Sequence, residues 1–269
     1  MSLRSLLVHL NSGERSKVRL NTAADLARSH GARLTGLFAE VAAPDGDDGP
    51  PPDPAQAAAA SREAFVEATK GLNAEWIALD RGDDDATVKT TTDFARHFDL
   101  IVIGQRRPDN SRLPPDFAEH LIVNSGRPVL VLPYSGDFPT VGKRPIFAWS
   151  NSGPSARGFA DGMMLVAPRA EALVVGLHQA NDTTGATDQK ESLRLAINHL
   201  AAHEICAKPE QLTLSDIGLM DALLNHAMEH SADLLVIGAF GGGGYPLFSR
   251  GSGSRYMLRH MTAPVLFSH

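Results

Sequence analysis

Asp99-Leu-Ile-Val-Ile-Gly104 returns as Asp233-Leu-Leu-Val-Ile-Gly238, and this repeated hexapeptide decides the fold. Each copy is a carboxylate, four consecutive apolar residues and a glycine. A strand with one wet face would alternate apolar and polar residues, so an unbroken apolar run reads as a strand covered on both faces. Such strands belong to parallel sheets flanked by helices. Sliding the sequence along itself extends the repeat, at an offset of about 135 to 140 residues. Pro128-Val-Leu-Val returns as Pro264-Val-Leu-Phe, each closing its half, and Asn-Ser-Gly follows the first apolar run of both halves, at Asn11 and at Asn151. Two homologous units result, expected over 1–135 and 142–269, with the boundary where Ser, Gly, Asp and Pro interrupt the apolar pattern near 134–143.

Working outward, short apolar runs alternate with longer amphipathic stretches in both halves. Strands are expected near 6–10, 33–39, 75–79, 100–103 and 129–132, then near 146–149, 172–177, 212–214, 234–237 and 265–267. Helices are expected over 16–30, 55–72, 155–166, 191–202 and 217–230 among others. The run 45–54, with four prolines in its last five residues, reads as a solvated loop. The fold class is therefore α/β, two tandem doubly wound five-stranded parallel sheets. The chain has 269 residues, 43% hydrophobic and 21% charged, enough for a sizeable core in each half. A net charge of -6 with no Lys/Arg-rich block argues against nucleic acid. The single cysteine, Cys206, excludes an internal disulfide, and no apolar run approaches the roughly 20 residues of a membrane span. With too short an apolar run after Met1 for a signal peptide, the expectation is a cytoplasmic protein.

The segment with most chemical content is Gly238-Ala-Phe-Gly241, nine further residues, then Gly251-Ser252-Gly253, between a buried strand and the amphipathic stretch 256–261. Glycines at a strand's end let backbone approach a ligand, and the N–H groups opening the next helix present partial positive charge to an anion. Ser252, Ser254, Arg250 and Arg255 would add hydroxyls and charge. The competing reading makes 241–244 a surface turn and 251–254 an ordinary helix start. A dinucleotide fingerprint places its glycines after the first strand of a unit and an acidic residue at the end of the second. Here they follow the fourth strand, and the second strand runs out at His178-Gln179. No Gly-Lys-Ser/Thr occurs, which excludes a Walker A loop.

The Gly-x2-Gly-x9-Gly-Ser spacing of Gly238, Gly241, Gly251 and Ser252 resembles the ATP-binding motif of the universal stress protein (UspA) family. The runs 231–238 and 258–266 resemble that family's closing third, and 6–12 and 24–36 resemble its opening. The resemblance implies a Rossmann-like strand order of 3-2-1-4-5 in each domain, a role in the stress response, and ATP, or ADP or AMP, with Mg2+ as an accompaniment, over the strand ends where the order reverses. It assigns Ser150, Leu177, Gly238, Gly241, Gly251, Ser252 and Gly253 to the nucleotide. It also implies pairing between the two domains and leaves a further homodimer open.

The halves are unequal. After Gly104 the first reads Gln-Arg-Arg-Pro-Asp-Asn-Ser-Arg-Leu-Pro-Pro-Asp116, with prolines in place of glycines and with Asp116 and Glu119 where they would repel phosphate. The first half reads as a degenerate partner domain. The second departs at the end of its first strand, where the family places Asp: counting from the helix side gives Ser150, and matching to Asn11 gives Asn151. Leu177 falls where the family offers backbone groups to adenine. The pairs His199/His203 and His226/His230 have helical spacing without a His-Glu-x-x-His pattern and read as solvated, so no metal site is expected. The run Asp83-Asp-Asp85 reads as solvated and suited to a helix start, and Cys206 as a buried or incidental thiol. No nucleophile-base set can be assembled, so the expectation is a non-catalytic nucleotide-binding protein, with a slow ATPase or other nucleotide-using enzyme and a non-binding scaffold as alternatives.

Overall fold

The computed structural model describes residues 3–41, 53–80, 82–107, 113–179, 183–214, 218–241 and 251–269. The chain divides into two units, Met1–Asp137 and Phe138–His269. In the first, β1 (Ser5–Leu10), β2 (Arg33–Phe38), β3 (Ala74–Ala78), β4 (Leu100–Gly104) and β5 (Val129–Leu132) alternate with α1 (Ser16–His30), α2 (Pro54–Ala68), α3 (Asp84–Ala95) and α4 (Phe117–Asn124). In the second, β6 (Pro145–Trp149), β7 (Ala172–Gln179), β8 (Ala207–Leu214), β9 (Leu234–Gly238) and β10 (Val265–Ser268) alternate with α5 (Gly153–Gly162), α6 (Thr183–Ala202), α7 (Leu219–Glu229) and α8 (Ser252–His260).

All pairings within each unit are parallel, in the orders β3-β2-β1-β4-β5 and β8-β7-β6-β9-β10. This is the expected 3-2-1-4-5 order, twice. The apolar runs that predicted it are the core: Leu6, Leu7, Val8, Ile101, Val102, Ile103 and Val129 to Val131 are fully buried, as are Phe147, Leu234, Leu235 and Val265 to Phe267.

Local chemistry sets the element ends. Gly31 takes a left-handed φ of 61° after α1 and donates to the carbonyls of Ala27 and Arg28. The Asp83 side chain accepts from the Ala86 N–H, with Asp84 and Asp85 in the first turn of α3, so the acidic run serves a helix start. Pro54, expected in a loop, instead opens α2 behind its Asp53 cap: proline's missing N–H is no loss at the first helical position. The rest of the expected loop, 45–52, lies outside the described residues. In β8 the expected strand of three residues is eight long. Its polar start, Lys208-Pro-Glu-Gln211, hides it in the sequence, but β8 pairs only with β7, and an edge strand tolerates a proline with no N–H to donate.

The carboxylates that open the repeated hexapeptides have one job in both halves. Asp99 accepts from the N–H groups of Arg4 and Ser5, each at 2.9 Å, and from Ser5 Oγ at 3.1 Å. Asp233, buried, accepts from the N–H groups of Gly142 at 3.1 Å, Lys143 at 3.0 Å and Arg144 at 2.8 Å. Each carboxylate thus ties the entry of the fourth strand to the entry of the first. Hydrogen bonds to a charged acceptor contribute about 1.5–3 kcal/mol each and are not additive. Asp233→Ala is expected to lower stability by about 3 kcal/mol and Asp233→Asn, which keeps one acceptor oxygen, by less, measured by urea unfolding of the full chain.

Candidate functional site at the carboxyl ends of β6 and β9

In the second unit β6 lies between β7 and β9, so chain leaving β6 and chain leaving β9 run to opposite faces of the sheet. Open parallel sheets of this order take their ligands where the two part. Ser150, Asn151 and the first turn of α5 lie on one side of that place, and Gly238 to Gly241 with Gly251 and the first turn of α8 lie on the other, with Pro154 and Ser155 packed against Gly238.

Strand register decides which residue ends the first strand. Leu6 faces Leu100 and Leu7 faces Ile101, while Pro145 faces Leu234 and Ile146 faces Leu235. Since Leu100 and Leu234 hold the same place in the repeat, Asn11 corresponds to Ser150, not to Asn151. Asn151 is one extra residue, absorbed in a left-handed conformation at φ 49° that asparagine tolerates. The match of the two Asn-Ser-Gly triplets is therefore out of register by one at the asparagine. Ser150 is half-buried, and its hydroxyl lies 3.0 Å from that of Ser152, the N-cap that forms a reciprocal capping box with Ser155.

The glycines divide by role. A Cβ at Gly238 would collide with the backbone of Pro154 and Ser155 at the start of α5, and one at Gly241 would lie 2.9 Å from Pro154 Cγ. Both are small so that the helix can lie close on the end of β9. Gly251 has φ +82°, and a Cβ there would stand 2.6 Å from the Phe240 ring. Gly253 faces Met220 of α7 at ordinary contact distance. The Phe240 N–H donates to Ser254 Oγ at 2.9 Å, which joins the two ends of the loop whose middle, 242–250 with Arg250, lies outside the described residues.

Helix α8 starts without a side-chain cap and with no acidic residue in its first turn. Its first N–H groups have no intrahelical partner. Ser252 Oγ is buried and has no hydrogen-bond partner among the described residues. Leu177, expected at the end of the second strand, lies inside β7 in register with Leu212, because β7 continues to Gln179 along the full length of β8.

In the first unit the β4 side of the same place is filled by the protein's own side chains. Arg19 of α1 is fully buried; its Nε donates to the His9 carbonyl at 2.5 Å and its Nη2 to Asn11 Oδ1 at 3.1 Å. Burial and then the nearby Arg15 lower its pKa to about 10, so it stays charged at neutral pH. Glu40, at the end of β2, accepts from Ser12 N–H at 3.1 Å and Ser12 Oγ at 2.7 Å. The cavity beside Arg19, Gly104 and Arg106 is about 70 Å³, against about 300–1,000 Å³ for small-molecule sites, while on the other side of Asn11 to Gly13 a cavity of about 430 Å³ remains against Gln56, Ala60 and Ala64 of α2. Six residues after the shared Ser-Gly, the second half has Phe159 where the first has Arg19. Phe159 packs in a tilted and an edge-on contact with Phe147 and Trp149, ring centroids 4.9 and 4.7 Å away, and so brings no charge to the end of β6.

Two other expectations change. His226 is buried, not solvated, because the α7 face that carries it turns toward β8, and Cys206 is exposed. Among the described residues no helix is long and apolar enough to cross a membrane.

The sequence over 164–269 matches the model of the Universal stress protein family. The match contains β7 to β10 and the whole Gly238 to Ser252 segment. The fold of both halves is also shared. A universal stress protein from Archaeoglobus fulgidus superposes over 98% of this chain and 97% of its own, at TM-score 0.70 and 17% identity. A functionally unknown protein from Pseudomonas aeruginosa PAO1 does so over 99% and 92%, at TM-score 0.65 and 19% identity. A universal stress protein in complex with cAMP covers 47% of the chain at TM-score 0.36 and 21% identity. No curated protein matches the chain in sequence.

His9 provides a test of this filling. Its Nε2 lies 2.7 Å from the Ala39 carbonyl, which can only accept, so Nε2 carries the proton and Nδ1 is a buried acceptor without a partner. Burial first, then the Arg19 charge, lower its pKa to about 3. The unfolded chain titrates near 6.5 and so binds the proton that the folded chain refuses. Stability is expected to fall as pH drops from about 6.5 toward 3, by up to about 1.4 kcal/mol per unit from this group. His9→Leu should make that slope shallower by about one proton in urea unfolding at pH 7, 6 and 5.

Proposed function

We propose that the second half binds the phosphates of an adenine nucleotide, ATP or its di- or monophosphate, at the start of α8, and that the chain acts as a non-catalytic, nucleotide-responsive stress protein of the cytoplasm. The observation that carries this reading is the state of that helix start. Its amides lack a cap, Gly251 brings the backbone in through a left-handed turn, Ser252 Oγ is buried with no partner among the described residues, and no carboxylate stands in the first turn. An anion there meets donors that otherwise lose their hydrogen bonds, and meets them at the positive end of the helix dipole.

The reading assigns the phosphates to the amides of Ser252 and Gly253 and to the Ser252 hydroxyl. The Ser254 hydroxyl already accepts the loop's own Phe240 N–H, and Gly238 and Gly241 shape the wall against Pro154. Ser150 offers the nucleoside a neutral hydroxyl where the family resemblance implies a carboxylate. Selectivity among nucleotides then rests more on phosphate than on ribose. In the first half, the Arg19 guanidinium occupies the space beside Gly104, where the chain after the fourth strand would meet phosphate, which favours placing the phosphates in 138–269.

Purified full-length protein is denatured to identify any carried nucleotide, then titrated calorimetrically with ATP, ADP and AMP. Micromolar binding, about 6 to 8 kcal/mol, is expected for the wild type. Ser252→Asp places a carboxylate where it suits the helix and repels phosphate, so it should weaken binding at least about tenfold while leaving the thermal midpoint unchanged or higher. Gly251→Val should abolish binding. No binding to the wild type rejects the proposal in favour of a scaffold, and rapid turnover of bound ATP replaces it with an enzyme.

A further inference from the structure

Helix α7 carries His226 and, one residue past its end, His230, four apart and on one face. Their rings lie 4.3 Å apart at the centroids. That face turns toward edge strand β8, which supplies Glu210. One carboxylate oxygen, Glu210 Oε2, stands 2.8 Å from His226 Nε2 and 3.7 Å from His230 Nε2. The donor atoms of all three residues lie within 4.8 Å of one another. His226 is 6% exposed, and its Nε2 has no partner of acceptable hydrogen-bond geometry despite the nearby carboxylate. A buried imidazole nitrogen thus faces the carboxylate oxygen at contact distance, out of line for a well-aligned hydrogen bond.

We propose that Glu210, His226 and His230 are a three-ligand site for a borderline divalent transition-metal ion, with Zn2+ as its representative, which clips edge strand β8 to helix α7. An ion held tetrahedrally at about 2.1 Å needs donors roughly 3.4 Å apart. The two measured separations, 2.8 and 3.7 Å, bracket that spacing. Two imidazoles and one carboxylate suit zinc and its neighbours, whereas Ca2+ and Mg2+ prefer an all-oxygen shell. On the far side of the His226 ring, Nδ1 lies 4.0 Å from Glu229 Oε2, beyond hydrogen-bond distance, so Glu229 adds negative charge near the site without orienting the ring. The side chains of Glu210 and His230 are 31% and 40% exposed, so the ion has a path from solvent and a fourth position left for water.

The pair His199/His203 is a built-in control. It has the same helical spacing, with rings 5.0 Å apart, but both residues are exposed and no carboxylate completes a cluster with them among the described residues. The nucleotide reading plays no part in this proposal, because the cluster is built from β8 and α7 and shares no residue with the start of α8.

The test uses the full chain with any affinity tag removed and metal stripped by chelator. Zn2+ is titrated in competition with a chromophoric chelator, and Co2+ provides a visible spectrum that reports coordination number. One ion per chain should bind at micromolar affinity or tighter, with four- or five-coordinate Co2+ bands and a thermal midpoint raised by Zn2+. His230→Ala and Glu210→Gln, both at partly exposed positions and so compatible with folding, should each weaken Zn2+ at least about tenfold and abolish the midpoint shift. The double variant His199→Ala/His203→Ala should bind as wild type. Absence of one-to-one binding overturns the proposal, as does equal affinity in the His230 and Glu210 variants, or displacement of Zn2+ by equimolar Ca2+ or Mg2+.

Discussion

A carboxylate at the amino end of one strand, holding the backbone amides at the amino end of its neighbour, is the contact on which both halves depend. Asp99 and Asp233 fix β1 beside β4 and β6 beside β9, the pairs between which the crossovers change direction. A parallel sheet has no hairpin to set register, so something must hold each pair while a long crossover closes. With the entries fixed, a strand of five residues carries the constraint about 17 Å to the opposite end, where the crossovers part.

From that common frame the halves diverge by what they place at that end. The first inserts a guanidinium, anchors it on the His9 carbonyl and Asn11, and accepts a neutral buried imidazole as the consequence. The second inserts an aromatic ring in the core below and leaves an uncapped helix start above. One scaffold thus supports a buried guanidinium at one strand end and an uncapped helix start at the other, and the difference rests on a few side chains beside β1 and β6.

The strands were legible because burial on both faces leaves an unbroken apolar run that few other structures require. What escaped sequence reading involves contacts across elements. Asn151 looked like the partner of Asn11 because the triplet matched, and only the ladder reveals that it is an inserted residue in a left-handed turn. Gly238 and Gly241 read as ligand-facing, yet the nearest obstacle to a side chain at either is the start of α5. Arg19 is unremarkable in an amphipathic helix until Gly104 is seen to make room for it. His226 and Glu210 are distant in sequence and on different elements, so helical spacing, which paired His226 with His230 and read both as solvated, could not bring Glu210 beside them. β8 was hidden by Pro209, a residue excluded from central strands but not from edges.

Arg19 has a thermodynamic consequence of its own. A dissociable ligand stabilises a fold in proportion to the logarithm of its concentration, so a crevice filled from outside is only as firm as the surroundings allow. A guanidinium tethered to α1 has an effective concentration set by the helix alone. The space beside Gly104 is thereby filled whatever small molecules the medium holds, a constancy that a dissociable occupant in the second half would not provide.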